Sequence, residues 1–169
     1  MKKLLLGLAL LLSVSVSAQK FAFVDMEYIL NNIPNYEMAN EQLEQVSKTW
    51  QAEVEAKAKE AETMYKNYQA ELVFLSEEMK LKKEEEILNK EKEVQELRMK
   101  YFGPEGELFK KRQALIMPIQ EDIYEAVKDI SAKYSYSMVL DRASSDNIIY
   151  ASPKIDISNE VLSKLGYSK

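Results

Sequence analysis

A long segment from Tyr36 to Tyr134 has the composition of helix and is interrupted by glycine at only one place. It is rich in Glu, Lys, Gln, Ala and Leu, which favour helices. In its first half, apolar residues recur at steps of three or four, so a helix would carry them on one face. This first seam consists of Ala39, Leu43, Val46, Trp50, Val54, Ala58, Ala61, Tyr65, Tyr68, Leu72 and Leu75.

A second apolar seam follows further along the same segment. It consists of Ile87, Val94, Leu97, Tyr101, Leu108, Leu115, Ile119, Ile123, Ala126 and Ile130. Two long helices in sequence, each with one seam, indicate an antiparallel coiled-coil hairpin, whose first helix, roughly 37–75, would be about 58 Å long. We predict its tip near residues 75–78, since Ser76 can cap the returning helix and Glu77 and Glu78 suit its first turn.

The one interruption lies in the stretch "YFGPEGELF", which contains Gly103, Pro104 and Gly106. A regular helix through it would lose roughly 5 kcal/mol, so we predict a helix break near 103–106. A hairpin tip here would leave some 60 Å of the first helix unpaired, which favours a joint within the returning arm. Gly103 would end one helix and Pro104 would open the next. The joint is either a hinge of the arm or a tolerated insertion without function.

The two ends of the chain contain the predicted strands. "KFAFVD" precedes a short helical stretch, "MEYIL", for which Asp25 is a candidate cap. After the long helices, "YSMVLD" and "NIIYAS" are predicted strands separated by the turn-rich "RASSD". A short final helix has Ser158 as candidate N-cap and Gly166 as its stop. The predicted fold class is α+β, mostly α, with a small β body and a long protruding antiparallel helical hairpin.

The N-terminus has the pattern of a signal peptide. Lys2 and Lys3 precede an apolar run, and the small residues Val16 and Ala18 are placed for cleavage before residue 19. The apolar stretch is shorter than the roughly 20 residues that span a bilayer, which disfavours a retained anchor. We therefore expect residues 1–18 to be removed, residues 19–36 and 134–169 to form the β-containing body, and residues 37–133 to form the hairpin.

Charge and cysteine content restrict the partners and the source of stability. Without Lys2 and Lys3, 21 basic residues stand against 28 acidic ones, a formal charge of −7. Such a chain gains nothing from counterion release on nucleic acid, so we expect no nucleic-acid partner. The chain has no cysteine, so no disulfide stabilises it. The body is small and its strands have open edges, and both properties favour a homo-oligomer.

No pattern in the sequence points to catalysis. The chain has no histidine or cysteine, and none of its four glycines belongs to a phosphate-binding loop. The adjacent glutamates 84–86 point in different directions on a helix and are interpreted as a solvated face. Asp141 and Asp146 flank a turn and are interpreted as turn formers. We therefore predict no catalytic, metal-binding or cofactor-binding residues and conclude that the chain is not an enzyme.

Binding surface remains, and the segment "ELVFLSEEMKL" has more apolar residues than one seam can bury. These candidate contact residues are Leu72, Val73, Phe74, Leu75, Met79 and Leu81. They would either plug the hairpin tip against one another or stay exposed as adaptable, weak contacts for an apolar partner.

The order of these segments resembles the Skp/OmpH family of periplasmic chaperones over essentially the whole mature chain. The resemblance depends on "FAFVDMEYIL", the long helical hairpin, "YSMVLD", a turn, "IIYASPKIDIS" and a short final helix. It implies a homotrimer whose hairpins extend as tentacles from a central body of strands and hold unfolded outer-membrane β-barrel proteins in a cavity, without ATP. The implied body residues are Phe21, Phe23, Val24, Met138, Val139, Leu140, Ile148 and Ile149.

The chain departs from the best-known members of that family in charge. Those members are basic, whereas this mature chain is acidic, so no lipopolysaccharide site is carried over. A rival hypothesis is an exported coiled-coil protein that acts as a structural spacer in the cell envelope. An exposed apolar tip would favour the chaperone, and a fully buried seam with polar arms would favour the spacer.

Overall fold

The computed structural model describes residues 19–144 and 148–167, and the predicted signal peptide lies outside them. Its elements in chain order are β1 (Lys20–Val24), α1 (Met26–Asn31), α2 (Pro34–Glu71), a 3₁₀ turn (Leu72–Phe74), α3 (Glu77–Phe102), α4 (Glu107–Tyr134), β2 (Tyr136–Asp141), a second 3₁₀ turn (Pro153–Ile155) and α5 (Ser158–Lys164). The described residues divide into two compact units, 34–121 and the combination of 19–33 with 122–144 and 148–167. The second unit includes the end of α4, which the sequence assigns to the hairpin.

In the first unit, α2 and α3 form an antiparallel helical hairpin. Contacts between them pair Trp50 with Tyr101, Glu60 with Lys90 and Glu71 with Lys83. Residue numbers on α3 therefore decrease as those on α2 increase, as they must for antiparallel helices. Every buried residue of these two helices belongs to a predicted seam: Ala39, Leu43, Val54, Ala61 and Tyr68 on α2, and Ile87, Val94 and Tyr101 on α3. The spacing of three and four residues therefore identified the packed face.

The turn of the hairpin lies between Glu71 and Glu77. Leu75 and Ser76 are extended, and the Ser76 hydroxyl accepts a hydrogen bond from the backbone N–H of Met79 at 3.3 Å. The predicted cap at Ser76 is confirmed.

The helix break between α3 and α4 differs in detail from the prediction. Gly103 is the C-cap of α3, with φ −63° and ψ 168°, an extended conformation that a following proline favours. Pro104 does not open the next helix, because α4 begins three residues later, at Glu107. The carbonyl of Gly106 accepts the first bond of α4, from the N–H of Lys110 at 3.1 Å. Pro104 therefore belongs to the connecting turn.

In the second unit, β1 and β2 form a two-stranded parallel sheet. Phe21 pairs with Met138 and Val24 with Asp141, and a register shift lies between Lys20 and Phe21. The buried side chains of this unit are at most 6% exposed: Ala22, Phe23, Val24, Ile29, Ile33, Ile123, Ala126, Ile130, Ile157, Val161 and Leu162. Each large aliphatic side chain buried in this way contributes about 1.5–3 kcal/mol.

The third predicted strand, "NIIYAS", is wrong over its described part, because Ile148 to Ser152 form no strand. One side of β1 is paired with β2. On its other side, Phe23 bridges Asp156, and the Phe23 carbonyl accepts from the N–H of Ile157 at 3.0 Å. β1 thus pairs with β2 on one side and, at Phe23 alone, with residues 156–157 on the other.

Three capping predictions for the short helices have different outcomes. Asp25 caps α1 by accepting from the N–H of Tyr28 at 2.8 Å, as predicted. Gly166, with φ 86°, ends α5 as predicted, in a left-handed conformation that suits glycine. The N-cap of α5 is Ile157, not Ser158. The buried Ser158 hydroxyl instead accepts a hydrogen bond from the N–H of Asp25 at 2.9 Å.

No helix within 19–144 or 148–167 is both long and apolar enough to cross a membrane.

Candidate functional site

The hairpin tip exposes most of the apolar residues singled out in the sequence. Val73 is 88% exposed, Phe74 86% and Leu81 68%. Leu72 and Met79 are also exposed, and Leu75 is partly buried. The structure thus leaves these side chains open to solvent instead of plugging them against one another. We call the set Leu72, Val73, Phe74, Leu75, Met79 and Leu81 the tip patch.

The tip patch is exposed because the seam between the helices ends below it. Tyr68 is the last buried residue of α2, Ile87 is the first buried residue of α3, and no residue from 69 to 86 is buried. A tight 3₁₀ turn and the extended Leu75 connect the two helices here, and none of the three residues of the 3₁₀ turn is buried. Exposed apolar surface of this kind marks interaction sites in soluble proteins.

Two polar contacts between the helices hold the base of the tip together. The Tyr68 hydroxyl donates a hydrogen bond to the Glu84 carboxylate, and Lys83 forms an ion pair with Glu71. The hydrogen bond to Glu84, with smaller contributions from burial and nearby negative charges, raises the pKa of Tyr68 to about 12. The raised pKa reflects the contact between Tyr68 and Glu84, which joins α2 to α3 directly below the tip patch.

The tip is also acidic. From Glu71 to Glu86 the chain has six glutamates and three lysines. Lys83 pairs with Glu71, and Lys80 pairs with Glu77 at 2.8 Å. The apolar patch therefore lies in a region of net negative charge.

The second unit has its own exposed apolar surface, which includes half of the predicted body residues. Phe23 and Val24 belong to the core of the chain itself, and Val139 and Ile148 are half-buried. Exposed are Phe21, Met138, Leu140 and Ile149, the last at 100%. A groove here is lined by Phe21, Leu140, Ile148, Ile149, Tyr150 and Ile155. We call this the body groove.

A third apolar surface lies along the hairpin and was missed in the sequence. It is a groove lined by Ala58, Ala61, Tyr65, Leu88 and Val94 among others. Tyr65 is exposed although it has the spacing of the first seam. Leu88, which lies outside both seams, is exposed as well. Ala58 and Ala61 could have predicted this groove from the sequence, since small residues in a seam leave space beside them.

The predicted hinge residues lie together in the turn between α3 and α4. A Cβ atom on Gly103 would lie 2.4 Å from the Met99 carbonyl oxygen, and one on Gly106 would lie 2.8 Å from the Tyr101 carbonyl oxygen. Both distances are shorter than any real contact, so this turn requires glycine at both positions.

Across 19–144 and 148–167, no group of three or more Asp and Glu side chains is arranged to hold a metal ion. What the structure presents instead is apolar surface at the tip, along the hairpin and on the sheet.

Comparison with known proteins agrees with this fold. The sequence profile of the family described as "Outer membrane protein (OmpH-like)" matches residues 20–165. The chaperone protein Skp of Yersinia enterocolitica is 28% identical over 162 residues, covering 95% of this chain and 94% of that protein. A crystal structure from Caulobacter crescentus CB15, described as OmpH-like, superposes with a TM-score of 0.67 at 13% identity, covering 88% of this chain and 85% of the other.

Proposed function

The chain belongs to the family of OmpH-like outer membrane proteins, and from that premise we propose that it is an ATP-independent holdase chaperone of the periplasm. It binds unfolded outer-membrane β-barrel proteins and prevents their aggregation. Residues 1–18 are the signal peptide that directs its export and is cleaved after Ala18. The protein needs no cofactor and is not an enzyme.

The observation that carries this proposal is the exposure of the tip patch. Val73 and Phe74 are each more than 80% exposed, whereas seam residues such as Val54 and Val94 are buried between the helices. A spacer would gain nothing from this exposure, since large apolar side chains in water favour aggregation. A holdase needs such side chains, because an unfolded client offers apolar segments and little fixed shape.

We further propose that the working form is a homotrimer in which the body grooves of the subunits cover one another. Phe21, Met138, Leu140 and Ile149 are exposed in the single chain, next to the half-buried Val139 and Ile148. Burying this surface contributes roughly 25 cal/mol per Å². The hairpins of the trimer surround the client, and their tip patches contact it.

Binding without ATP requires contacts that are individually weak. A flexible client loses conformational freedom when bound, which offsets much of the apolar contact energy. Several exposed side chains on each of three hairpins make many such contacts, and each can be released separately. Client release then follows when the folding of the client competes for the same apolar segments.

Aggregation of an unfolded β-barrel protein tests the proposal. The barrel protein is diluted from urea with the mature chain at a near-stoichiometric trimer ratio, and light scattering is recorded. We expect suppression by the unmodified chain and weaker suppression by the Val73→Ser, Phe74→Ser double variant. The matched control is Met38→Ser with Tyr124→Ser, which removes two exposed apolar side chains elsewhere.

The outcomes separate the two functions. No suppression by the unmodified chain contradicts the chaperone and leaves the envelope spacer. Equal suppression by both double variants contradicts the tip patch as the contact site and leaves the chaperone function standing.

A further inference from the structure

We propose that the hairpin tip prefers client segments in which an apolar stretch is flanked by lysine or arginine, and that Glu78 and Glu85 confer this preference. The inference rests on the proposed chaperone function and names the kind of client segment that the tip patch takes.

Leu81 is a strongly exposed member of the tip patch. On a helix, the surface neighbours of a residue are those three and four positions away. For Leu81 in α3, these four neighbours are Glu77, Glu78, Glu84 and Glu85. An apolar side chain that docks on Leu81 therefore brings its flanking residues next to glutamates.

Two of these four carboxylates are already engaged within the chain. Glu77 forms an ion pair with Lys80, and Glu84 accepts the hydrogen bond of Tyr68. Glu78 and Glu85 have no hydrogen bond or ion pair among the residues that the structure describes. They are the carboxylates beside Leu81 that remain available to a cation from a bound segment.

The lysines of the tip do not neutralise this region. Lys80 and Lys83 are paired with Glu77 and Glu71. Lys82 lies on the helix surface between Glu78 and Glu85 and offsets part of their charge. Six glutamates against three lysines still leave the stretch 71–86 with a formal charge of −3.

This charge decides between the possible occupants of the tip patch. A basic segment is attracted, and an acidic one is repelled at short range. A second hairpin tip carries the same negative charge, so self-association through the tips is disfavoured. An anionic lipid surface is disfavoured for the same reason. The occupant that matches both the apolar patch and its surroundings is an apolar segment with basic flanks.

Two labelled peptides with the same apolar core test the preference, one flanked by lysines and one by glutamates. Fluorescence anisotropy with the mature chain is expected to show about tenfold tighter binding of the lysine-flanked peptide at low salt. The ratio should fall to about twofold near 0.5 M NaCl, where exposed charges are screened. The Glu78→Gln, Glu85→Gln double variant should lower the ratio at low salt in the same way, mainly by weakening binding of the lysine-flanked peptide.

The matched control is Glu41→Gln with Glu121→Gln, which removes the same charge from exposed positions outside the tip and should leave the ratio unchanged. Equal affinities of the unmodified chain for both peptides, with aggregation of the barrel protein still suppressed, overturn this inference and leave the proposed function intact. An unchanged ratio in Glu78→Gln, Glu85→Gln overturns the assignment to these residues. Binding to neutral lipid vesicles in place of either peptide overturns the choice of occupant.

Discussion

At the residue scale, polar side chains hold the second unit together where no disulfide can. The Asp141 carboxylate accepts hydrogen bonds from the N–H of Met26 at 3.1 Å and of Ala143 at 3.0 Å. The buried Ser158 hydroxyl accepts from the N–H of Asp25 and donates to Asp156 at 2.6 Å. These contacts connect the end of β2, the start of α1 and the start of α5. Side chains of residues far apart in sequence thus fix the ends of three short elements.

Asp141 should make stability depend on pH. Burial acts to raise its pKa, but hydrogen bonds from Ser144, Met26 and Ala143 outweigh burial and hold the pKa below the ordinary value of 3.8. A lowered pKa means that the ionised form stabilises the fold above pH 3.8 and that this stabilisation disappears as pH falls through the folded-state pKa. Asp141→Asn should therefore lose about 1–2 kcal/mol of unfolding free energy at neutral pH and progressively less below pH 3.8.

Urea unfolding followed by circular dichroism, repeated between neutral and acid pH, measures this difference. Asp122→Asn is the matched control, since Asp122 is an exposed aspartate of the same unit. If the loss of unfolding free energy in Asp141→Asn stayed constant as the pH fell, the ionised carboxylate would not be the stabilising form.

Tyr101 offers a second test at this scale, within the hairpin. Its ring stacks on Trp50 with centroids 4.8 Å apart, and its hydroxyl donates to Glu53 at 2.8 Å. Tyr101→Phe keeps the stack and removes the hydrogen bond, so we expect a loss of about 0.5–1.5 kcal/mol. Trp50 is the only tryptophan of the chain, and its fluorescence reports urea unfolding of the hairpin. Tyr124→Phe, at an exposed position, is the control and should not change the free energy of unfolding. Equal stabilities of the two variants would argue against a stabilising hydrogen bond between Tyr101 and Glu53.

The capping residues show what local sequence can predict. Asp25 and Ser76 cap the helices that begin directly after them, and both were identified from their type and position. Ser158 has the same type and a similar position, yet its hydroxyl contacts Asp25, more than a hundred residues away. A contact between residues so distant in the chain leaves no signal in the residues around Ser158.

At the scale of elements, helices were predicted better than strands. The seams of α2 and α3 follow from the period of a single helix, so spacing alone identified Val54, Val94 and their neighbours. The segment from Ile148 to Ser152 has strand composition, but a strand also needs a partner strand, which composition does not specify. The residues that bond to the outer side of β1 are Asp156 and Ile157, which do not have strand composition.

Pro118 is a helix-breaking residue that α4 accommodates. It lies inside α4, where it removes one backbone hydrogen bond from an otherwise continuous helix. Proline is a helix-breaking signal, but the seam residues on both sides, Leu115 and Ile119, keep helical spacing. The structure shows that the helix continues through it.

The turn between α3 and α4 depends on Gly106. A Cβ atom at this position would lie 2.8 Å from the Tyr101 carbonyl oxygen and 2.9 Å from the Gly103 nitrogen. Gly106→Ala must therefore rearrange the turn, and we expect a loss of about 1–3 kcal/mol in thermal or urea unfolding followed by circular dichroism. Pro104→Ala, at an exposed position of the same turn, should lose only about 0.4–1 kcal/mol. Equal losses would show that the turn tolerates a side chain at Gly106.

Whether this turn acts as a hinge is a separate proposal. Replacing Gly103, Pro104 and Gly106 together by alanine restores helix propensity across the break and should stiffen the arm. If the turn lets the hairpin adapt to clients of different size, the triple variant should lose capacity for large clients before small ones. Unchanged capacity for large clients would identify the turn as a tolerated insertion.

At the scale of the whole molecule, the open question is what covers the body groove. The sheet has two strands, and the exposed Phe21, Met138 and Leu140 lie on them. Ile149 and Tyr150 add further exposed apolar surface beside the strands. So much exposed apolar surface on a small body is typical of a subunit interface. The sequence predicted association from the size and open edges of the body, and the exposure of these residues supports the same proposal.

Association through the body groove is tested by the Leu140→Glu, Ile149→Glu double variant. Both side chains are exposed in the single chain, so the charges should leave its fold unchanged while they prevent apolar burial between subunits. We expect sedimentation equilibrium to show a trimer for the unmodified mature chain and a monomer for the variant, with the same helical circular dichroism. The matched control, Met38→Glu with Leu88→Glu, places the same charges on exposed apolar positions of the hairpin and should remain trimeric. A stable monomer of the unmodified chain would contradict the trimer, and a trimeric double variant would assign the interface to another surface.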